Sequence, residues 1–446
     1  MNENTLAKVR ALVLEKKWAE LKNMLSAWPA PEVADILPLL DGSDRVLLLR
    51  LLPQKQSAEV SAHLDSDLLN WILLDLTDEE TRRLLEELRP DDRTSVLEEL
   101  PGTLTQRLLN LLPPEDLAEA RNLLGYPEES IGRLMTPDYV AIRPEWTVAR
   151  ALEHVRQKGR DSETISIVYV VDAGWKLLDS IEIERLILHS PQECVKHVMD
   201  HSYVSLLAYD DREHAVRVMQ RYDLFALPVV DSDGVLLGIV TADDVLDVAQ
   251  EEATEDFHKS AAVAPLRTSY RHTSIWSLYT KRIGWLGVLV LLNLVSSGII
   301  ASYEETLAGS LALAFFIPLL IDSGGNAGSQ AATLMVRALA TGDLNLHQLL
   351  RTALKEVAVG LSLGLSMGIA SSAVGVIRGG PQIGIIVGSS MALIVLMANI
   401  VGTSLPFVLT RSGLDPAVAS SPLITTITDA VGLLIYFSLA SWLLAS

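Results

Sequence analysis

Asp429 lies near the middle of an apolar stretch, Ala417 to Leu444, that is long enough to cross a bilayer. A span needs ~20 mostly apolar residues, and an ionisable group at its centre costs ~3 kcal/mol or more. A carboxylate in that position belongs on a water-filled path for an ion or substrate. The alternative is an Asp that is protonated or bonded to a neighbouring helix. Thr425, Thr426 and Thr428 add hydroxyl oxygens beside it, and hard cations take oxygen ligands. An earlier apolar segment is broken by Asp322-Ser323-Gly324-Gly325-Asn326-Ala327-Gly328-Ser329-Gln330. Pro318 and the glycines loosen the helix there, and the polar groups need partners or a cavity. Asn326, Thr425 and Thr428 are candidates to line the path. No Lys follows the glycines, so this is not a phosphate loop.

A second concentration of carboxylates precedes the apolar segments. In Asp247-Val248-Ala249-Gln250-Glu251-Glu252-Ala253-Thr254-Glu255-Asp256-Phe257-His258-Lys259, the residues Glu252, Glu255 and Asp256 stand three and four apart and share one helix face. Like charges so placed cost ~0.2–0.5 kcal/mol per pair without a counter-ion. A hard divalent cation with oxygen ligands would offset that cost; the alternative is a solvated face. The position of this helix, between a soluble region and the membrane, favours a coupling role.

The elements that carry these residues follow from composition. Seven of the 36 basic and seven of the 56 acidic residues fall after Ser274, so the net charge of −20 rests on the soluble region. That charge disfavours nucleic acid, whose binding proteins present basic patches. Crowded carboxylates repel, so the soluble region should change shape when metal ions neutralise them. The single cysteine, Cys194, excludes an intrachain disulfide and a thiolate metal cluster. Met1-Asn2-Glu3-Asn4 does not open a signal peptide, so a cytoplasmic N-terminal region is expected.

Residues 1–128 read as an all-α acidic domain, with leucines at helical spacing (Leu47, Leu48, Leu51, Leu52; Leu84, Leu85, Leu88) between turns at Pro53, Pro90 and Pro113. It is a regulatory lobe or a plain docking scaffold. Residues 129–246 turn to mixed helix and strand and hold a repeat, 129–194 and 195–246. Leu134-Met135-Thr136-Pro137 returns as Val198-Met199-Asp200-His201, and Val168-Tyr169-Val170-Val171-Asp172 as Ala226-Leu227-Pro228-Val229-Val230-Asp231. The second copy ends strand, Gly turn, strand, then a helix capped by Thr241. It resembles a tandem pair of CBS modules, an α/β regulatory fold.

In CBS pairs, the signature matched by Gly238, Thr241 and Asp244 can hold a nucleotide ribose, which implies regulation by ATP; the alternative is a stabilising cap. The first copy, Leu178 to Glu184, lacks the Gly and has Glu where Asp is expected. Residues 247–281 are expected to form a connecting helix, and 282–446 a membrane domain of five helices: Ile283–Ser302, Leu307–Leu339, Ala353–Ile377, Gly384–Thr410 and Ala417–Leu444. With the soluble region inside, Lys281, Arg282, Arg337, Arg351, Lys355 and Arg411 fall on the cytoplasmic side and only Arg378 outside, which puts the C-terminus outside. Gly360, Gly364 and Gly368, at every fourth position, form a helix-packing face.

The run Pro318-Leu319-Leu320 through Ala331, then Asp415-Pro416-Ala417, then Thr425-Thr426 through Asp429 with Gly432-Leu433-Leu434-Ile435-Tyr436-Phe437, resembles the MgtE magnesium transporters. The order of domains matches over essentially the whole chain. The resemblance implies a homodimeric Mg²⁺ channel in the plasma membrane, closed by cytoplasmic Mg²⁺. It implies a pore carboxylate at Asp429 and a cytoplasmic-mouth Asp at Asp415. The connecting "plug" helix would supply Glu252, Glu255 and Asp256, and the second CBS module Asp211, Glu213, Asp223, Asp244 and Asp247. Asp91 and Asp92 are the candidates from the N-terminal domain. Bound Mg²⁺ would hold the plug against Asp415, and its loss would open the pore. Mg²⁺ is then both cargo and regulator, with other divalent cations as further substrates. The competing reading is an ion-coupled divalent-cation transporter or exporter regulated by nucleotide at the CBS pair.

Overall fold

The computed structural model describes residues 3–266, 270, 273–344, 346–419 and 421–445. The chain divides into two compact units, Met1–Gln250 and Glu251–Ser446.

The first unit opens with short helices. Pro53 and Pro113 are N-caps of the helices Gln54–Ala62 and Pro114–Leu123, and Pro90 is the first residue of Pro90–Glu99. Proline lacks the N–H that a first helical turn leaves unbonded, so it starts helices at no cost in hydrogen bonds. Of the expected leucines, Leu48, Leu52, Leu84, Leu85 and Leu88 fill one shared core, with Leu51 packed against it.

Two three-stranded sheets follow. In the first, β1 (Ala141–Ile142) pairs parallel with β2 (Ile167–Val171), which pairs antiparallel with β3 (Leu177–Glu182). In the second, β4 (Leu206–Leu207), β5 (Ala226–Val230) and β6 (Leu236–Thr241) repeat the order and directions. Even the irregularity recurs, between Val170 and Val171 and between Val229 and Val230. Tyr169, Val171 and Leu177 of one copy pack with Val230, Leu236 and Ile239 of the other.

The registers correct the sequence alignment of the two copies. Thr241 stands opposite Ala226, and Glu182 stands in the same place opposite Ile167. Counting on, the first-copy partner of Asp244 is Arg185 rather than a Glu. The counterpart of Gly238 is Asp179, opposite Val170 as Gly238 is opposite Val229. A Cβ on Gly238 would meet the Thr136 carbonyl oxygen at 2.7 Å. This close approach lets Thr136 and Ile239 exchange backbone hydrogen bonds of 2.8 and 2.9 Å. In the first copy the buried Asp179 carboxylate instead accepts from the backbone N–H groups of Ser180, Asp200 and His201 at 2.9, 3.0 and 3.2 Å. In the first copy the Asp179 side chain thus stands where the second copy has a backbone bridge.

The connecting helix is Ala242–Ser260. It begins directly after β6, earlier than the expected 247, and ends well before 281. Of the expected segment, 267–269 and 271–272 lie outside the described residues.

In the second unit, four helical stretches among the described residues are long and apolar enough to cross a membrane: Ile275–Ser302, Leu311–Ala340, Leu349–Arg411 and Ser421–Leu444. The third has 63 residues; straight, it would run ~95 Å, some three bilayer cores. It does not run straight. Gly380 has φ 83° and ψ 177°, a conformation essentially confined to glycine, and the chain doubles back there. A Cβ on Gly375 would lie 2.7 Å from Gly384 Cα, one on Gly368 2.7 Å from the Gly388 carbonyl oxygen, and one on Gly364 2.6 Å from that of Ala392. The expected packing face therefore joins the two arms of a helical hairpin.

Candidate ion pathway and acidic regulatory sites

Two helices of the second unit frame the candidate pathway, Ile317–Ala340 and Ser421–Ala445. They pack antiparallel. Ser329 meets Ser421 through their hydroxyls at 3.0 Å. A Cβ on Gly325 would touch Cγ2 of Thr425 at 2.9 Å, and one on Gly432 would lie 3.4 Å from Cδ1 of Ile321. Small residues are what allow this approach.

On Ile317–Ala340, Gly324, Gly328 and Ala331 are buried while Asp322, Asn326 and Gln330, four apart, line a more open side. The helix thus has a packed apolar face and an open polar one. Asp429 is half-buried, flanking the seam. Among the described residues no cation or hydrogen-bond donor pairs with its carboxylate, and Asp322 is close enough to act on it electrostatically. Thr425 is partly exposed, with its hydroxyl donating to the Pro422 carbonyl at 2.9 Å. Thr428, expected along the path, is instead fully buried and donates to the carbonyls of Ile424 and Thr425 at 3.0 and 2.9 Å. Its methyl packs toward Gly328, so its place is in the helix contact.

Asp415 caps the turn before the last helix, and its Oδ1 accepts from Ala417 N at 2.8 Å. Its Oδ2 accepts from Lys259 Nζ at 2.6 Å. The same ammonium lies 2.5 Å from Glu255, one turn back on the connecting helix. Glu252, Glu255 and Asp256 are all partly buried and share one face of this helix. Burial disfavours the Lys259 charge, but the hydrogen bonds to Asp415 and Glu255 more than offset it, and its pKa is raised. The sequence pointed to the carboxylates of this helix and passed over its one lysine.

In the first unit a different acidic group forms. Asp91 and Asp92 occupy the first turn of Pro90–Glu99, and Asp243, Asp244 and Asp247 open the connecting helix. Burial raises Asp91 well above the ordinary carboxyl range, and Asp244, Asp92 and Glu163 add to it. Burial likewise pushes Asp244 up to about 7, against the Thr241 hydrogen bond and helped by Asp243, Asp92 and Glu163. Asp92 and Asp247 are also raised, chiefly by burial. Glu163, paired with Arg89, was not foreseen; it comes from a loop that no spacing rule connects to Asp91. Thr241 donates to Asp244 at 2.8 Å, so the two signature side chains bond each other.

Among the described residues no three acidic, His or Cys side chains converge to ligate a metal directly. The donor set suits a strongly hydrated cation such as Mg²⁺, which is commonly held by one or two carboxylates while keeping several waters. Asp211, Glu213 and Asp223 stand apart. Asp211 caps the helix Arg212–Tyr222, accepting from Glu213 N, and Asp223 ends it in the left-handed region at φ 52°. Twelve residues of helical rise separate the two ends, about 18 Å. Glu213 pairs with Arg217 at 3.0 Å.

The arrangement matches known proteins over its whole length. Residues 28–129 match the MgtE intracellular N domain, 131–190 and 195–251 the CBS domain, and 317–439 the divalent cation transporter domain MgtE. The magnesium transporter MgtE of Thermus thermophilus is 40% identical over 461 residues, covering 100% of this chain and 99% of that protein. The magnesium transporter MgtE of Bacillus subtilis is 31% identical, covering 91% and 92%. Among solved structures, the cytosolic domain of the Mg²⁺ channel MgtE in complex with ATP aligns with TM-score 0.53 and 35% identity, over 55% of this chain and 99% of that one. These matches, together with the helical lobe, the CBS pair and the apolar helices, establish that the chain belongs to the MgtE family of magnesium transporters.

Proposed function

We propose that the chain forms a homodimeric Mg²⁺ channel, with Asp429 of each copy on the ion path and the first unit acting as a cytoplasmic Mg²⁺ sensor. The observation that carries this reading is Asp429 itself: a carboxylate about two turns into the apolar helix Ser421–Ala445, with no cation or donor paired to it among the described residues, beside an open polar face bearing Asp322 and Asn326. Facing lipid, such groups would cost ~3 kcal/mol or more each. A second copy would close that face into a wet path. Taking the two arms of the hairpin at Gly380 as separate crossings would give five, and a cytoplasmic first unit would then leave the C-terminus outside.

A single Asp per chain is too little for an all-protein cage, and two across a dimer axis suit an ion that keeps its waters. The membrane potential contributes ~2.3 kcal/mol per charge per 100 mV, so ~4.6 kcal/mol for a divalent ion. Passive uptake needs no further energy source. Regulation enters through the acidic groups. Mg²⁺ held by Asp91, Asp92, Asp244 and Asp247 would relieve their repulsion, and the connecting helix would pass that change to Asp415. Glu252 and Asp256, and separately Asp211, Glu213 and Asp223, would add outer sites. ATP at Thr241 and Asp244 would act on the same helix.

The test is Mg²⁺ flux into liposomes holding wild type or Asp429→Ala, with Mg²⁺ varied on the cytoplasmic side and no Na⁺ or H⁺ gradient. Flux that is lost in the variant, and suppressed by cytoplasmic Mg²⁺ in wild type, supports the channel. Flux that requires an imposed gradient would replace it with a coupled transporter.

A further inference from the structure

The geometry points to Asp322 as a second carboxylate of the ion path, one that sets how tightly and how selectively the path holds a divalent ion. The inference rests on the proposed path at Asp429 and adds a residue to it. Three contacts fix the depth of Asp322. Ile321 lies against Gly432, Gly325 against Thr425, and Ser329 against Ser421. The two helices therefore run antiparallel, with Asp322 level with the turn that carries Asp429. Helical spacing puts Asp322 on the side of Asn326 and Gln330, opposite the packed face of Gly324, Gly328 and Ala331. It is exposed within a stretch, Leu311–Ala340, that is apolar and long enough to span a membrane.

An exposed carboxylate at that depth needs water or a cation rather than lipid. Asp322 and Asp429 are also near enough to repel one another, and no cation among the described residues stands with them. Two such carboxylates per chain make four in a two-fold assembly, around an axis that Asp429 alone would supply with two. Extra negative charge favours a divalent over a monovalent ion, because the attraction scales with the ion's charge. Asn326, one turn on, extends the same face with an amide that can bond water on the ion.

The experiment compares full-length wild type, Asp322→Asn, Asp322→Glu and Asp429→Asn in liposomes. Mg²⁺ influx is measured against Mg²⁺ concentration, with and without Na⁺ as competitor. Asp322→Asn should raise the half-saturating Mg²⁺ about tenfold, equivalent to ~1.4 kcal/mol. It should also weaken discrimination against Na⁺, while Asp322→Glu restores both. Asp429→Asn should abolish influx. Asp322→Ser serves as the second variant if Asp322→Asn does not assemble like wild type in size-exclusion chromatography. Wild-type half-saturation and selectivity in an assembled Asp322 variant, with influx lost in Asp429→Asn, would overturn the role of Asp322 and leave the path standing. A lower maximal influx at unchanged half-saturation would also overturn it, since that is the mark of a residue that only positions the helix. Wild-type influx in Asp429→Asn would bring down the path itself.

Discussion

The ammonium of Lys259 lies 2.6 Å from Oδ2 of Asp415 and 2.5 Å from Glu255. A tethered cation thus stands at the carboxylate proposed for the cytoplasmic mouth, at the end of the helix that leaves the CBS pair. It joins two carboxylates that would otherwise repel. In the proposed gate it supplies some of the charge that a bound Mg²⁺ would supply, and it places positive charge where a cation must pass.

Lys259→Gln should therefore favour the open channel. Influx at low cytoplasmic Mg²⁺ should rise, and the Mg²⁺ needed to halve influx should increase several-fold. Because the Lys259 pKa is raised, the ion pair is present below the ordinary lysine value and is lost only as pH climbs through the higher folded value. Over the neutral range, well below the ordinary lysine value, the lysine should add no pH dependence to gating. Inhibition identical to wild type in Lys259→Gln would show that the contact does not hold the gate.

Asp244 gives a pH signature of opposite origin. Burial, with Asp243, Asp92 and Glu163 adding, raises it to about 7. Between its ordinary value and about 7, the folded chain keeps a proton that the unfolded chain has released, so stability falls as pH rises through that window and levels above it. At ~1.4 kcal/mol per pKa unit the change is on the order of a few kcal/mol. Calorimetry of the detergent-solubilised chain should show a lower unfolding midpoint for the first unit at about pH 7.5 than at about pH 5. Asp244→Asn should flatten that difference, and Mg²⁺ at the higher pH should raise the wild-type midpoint more than the variant's. Equal midpoints at both pH values would mean that folding does not hold the proton on Asp244.

The membrane unit should be most sensitive where backbones nearly touch. A Cβ on Gly402 would sit 2.2 Å from the Gly328 carbonyl oxygen, with the Gly328 carbonyl carbon at 3.0 Å behind it. No side-chain rotation relieves a clash with backbone, so Gly402→Ala must push the two helices apart, at ~1–3 kcal/mol or more. Gly287, on the first apolar helix, has nothing within 4 Å of its Cβ position, and Gly287→Ala should be neutral within ~0.5 kcal/mol. Thermal unfolding in detergent should separate the two, and equal midpoints would contradict the packing described.

Much of this was legible in the sequence because it is periodic or punctuated. The leucine spacing, the prolines at 53, 90 and 113, the CBS repeat and the apolar segments each leave a local mark. What stayed hidden depends on rotation or on distant pairing. Thr428 looks like any hydroxyl near Asp429 until the helix is turned against Gly328. Lys259 is one base in an acidic run, and nothing local says that it meets Asp415. Glu163 joins Asp91 and Asp244 only through the fold. The alignment of Asp244 with Arg185 needed strand register, since motif spacing alone set a Glu there.

Asp179 tests whether the irregular first CBS copy is decayed or rebuilt. Its carboxylate accepts three backbone N–H groups, from Ser180, Asp200 and His201, in the place where Gly238 allows a backbone bridge. Asp179→Ala would leave those donors unbonded in a buried site, at ~1–3 kcal/mol for each that water cannot reach. Asp179→Gly would remove the same acceptor and leave more room. If the linker at 200–201 could then close on β3 as Thr136 closes on Ile239, the glycine variant would recover much of the loss. That closure is opposed by the left-handed backbone of His201, φ 58°, which has to change for a bridge to form. Both variants should therefore lower the unfolding midpoint of the first unit, with Asp179→Asn, which keeps one acceptor oxygen, between them and wild type. A glycine variant as stable as wild type would mean that the carboxylate only substitutes for a bridge the chain can still make.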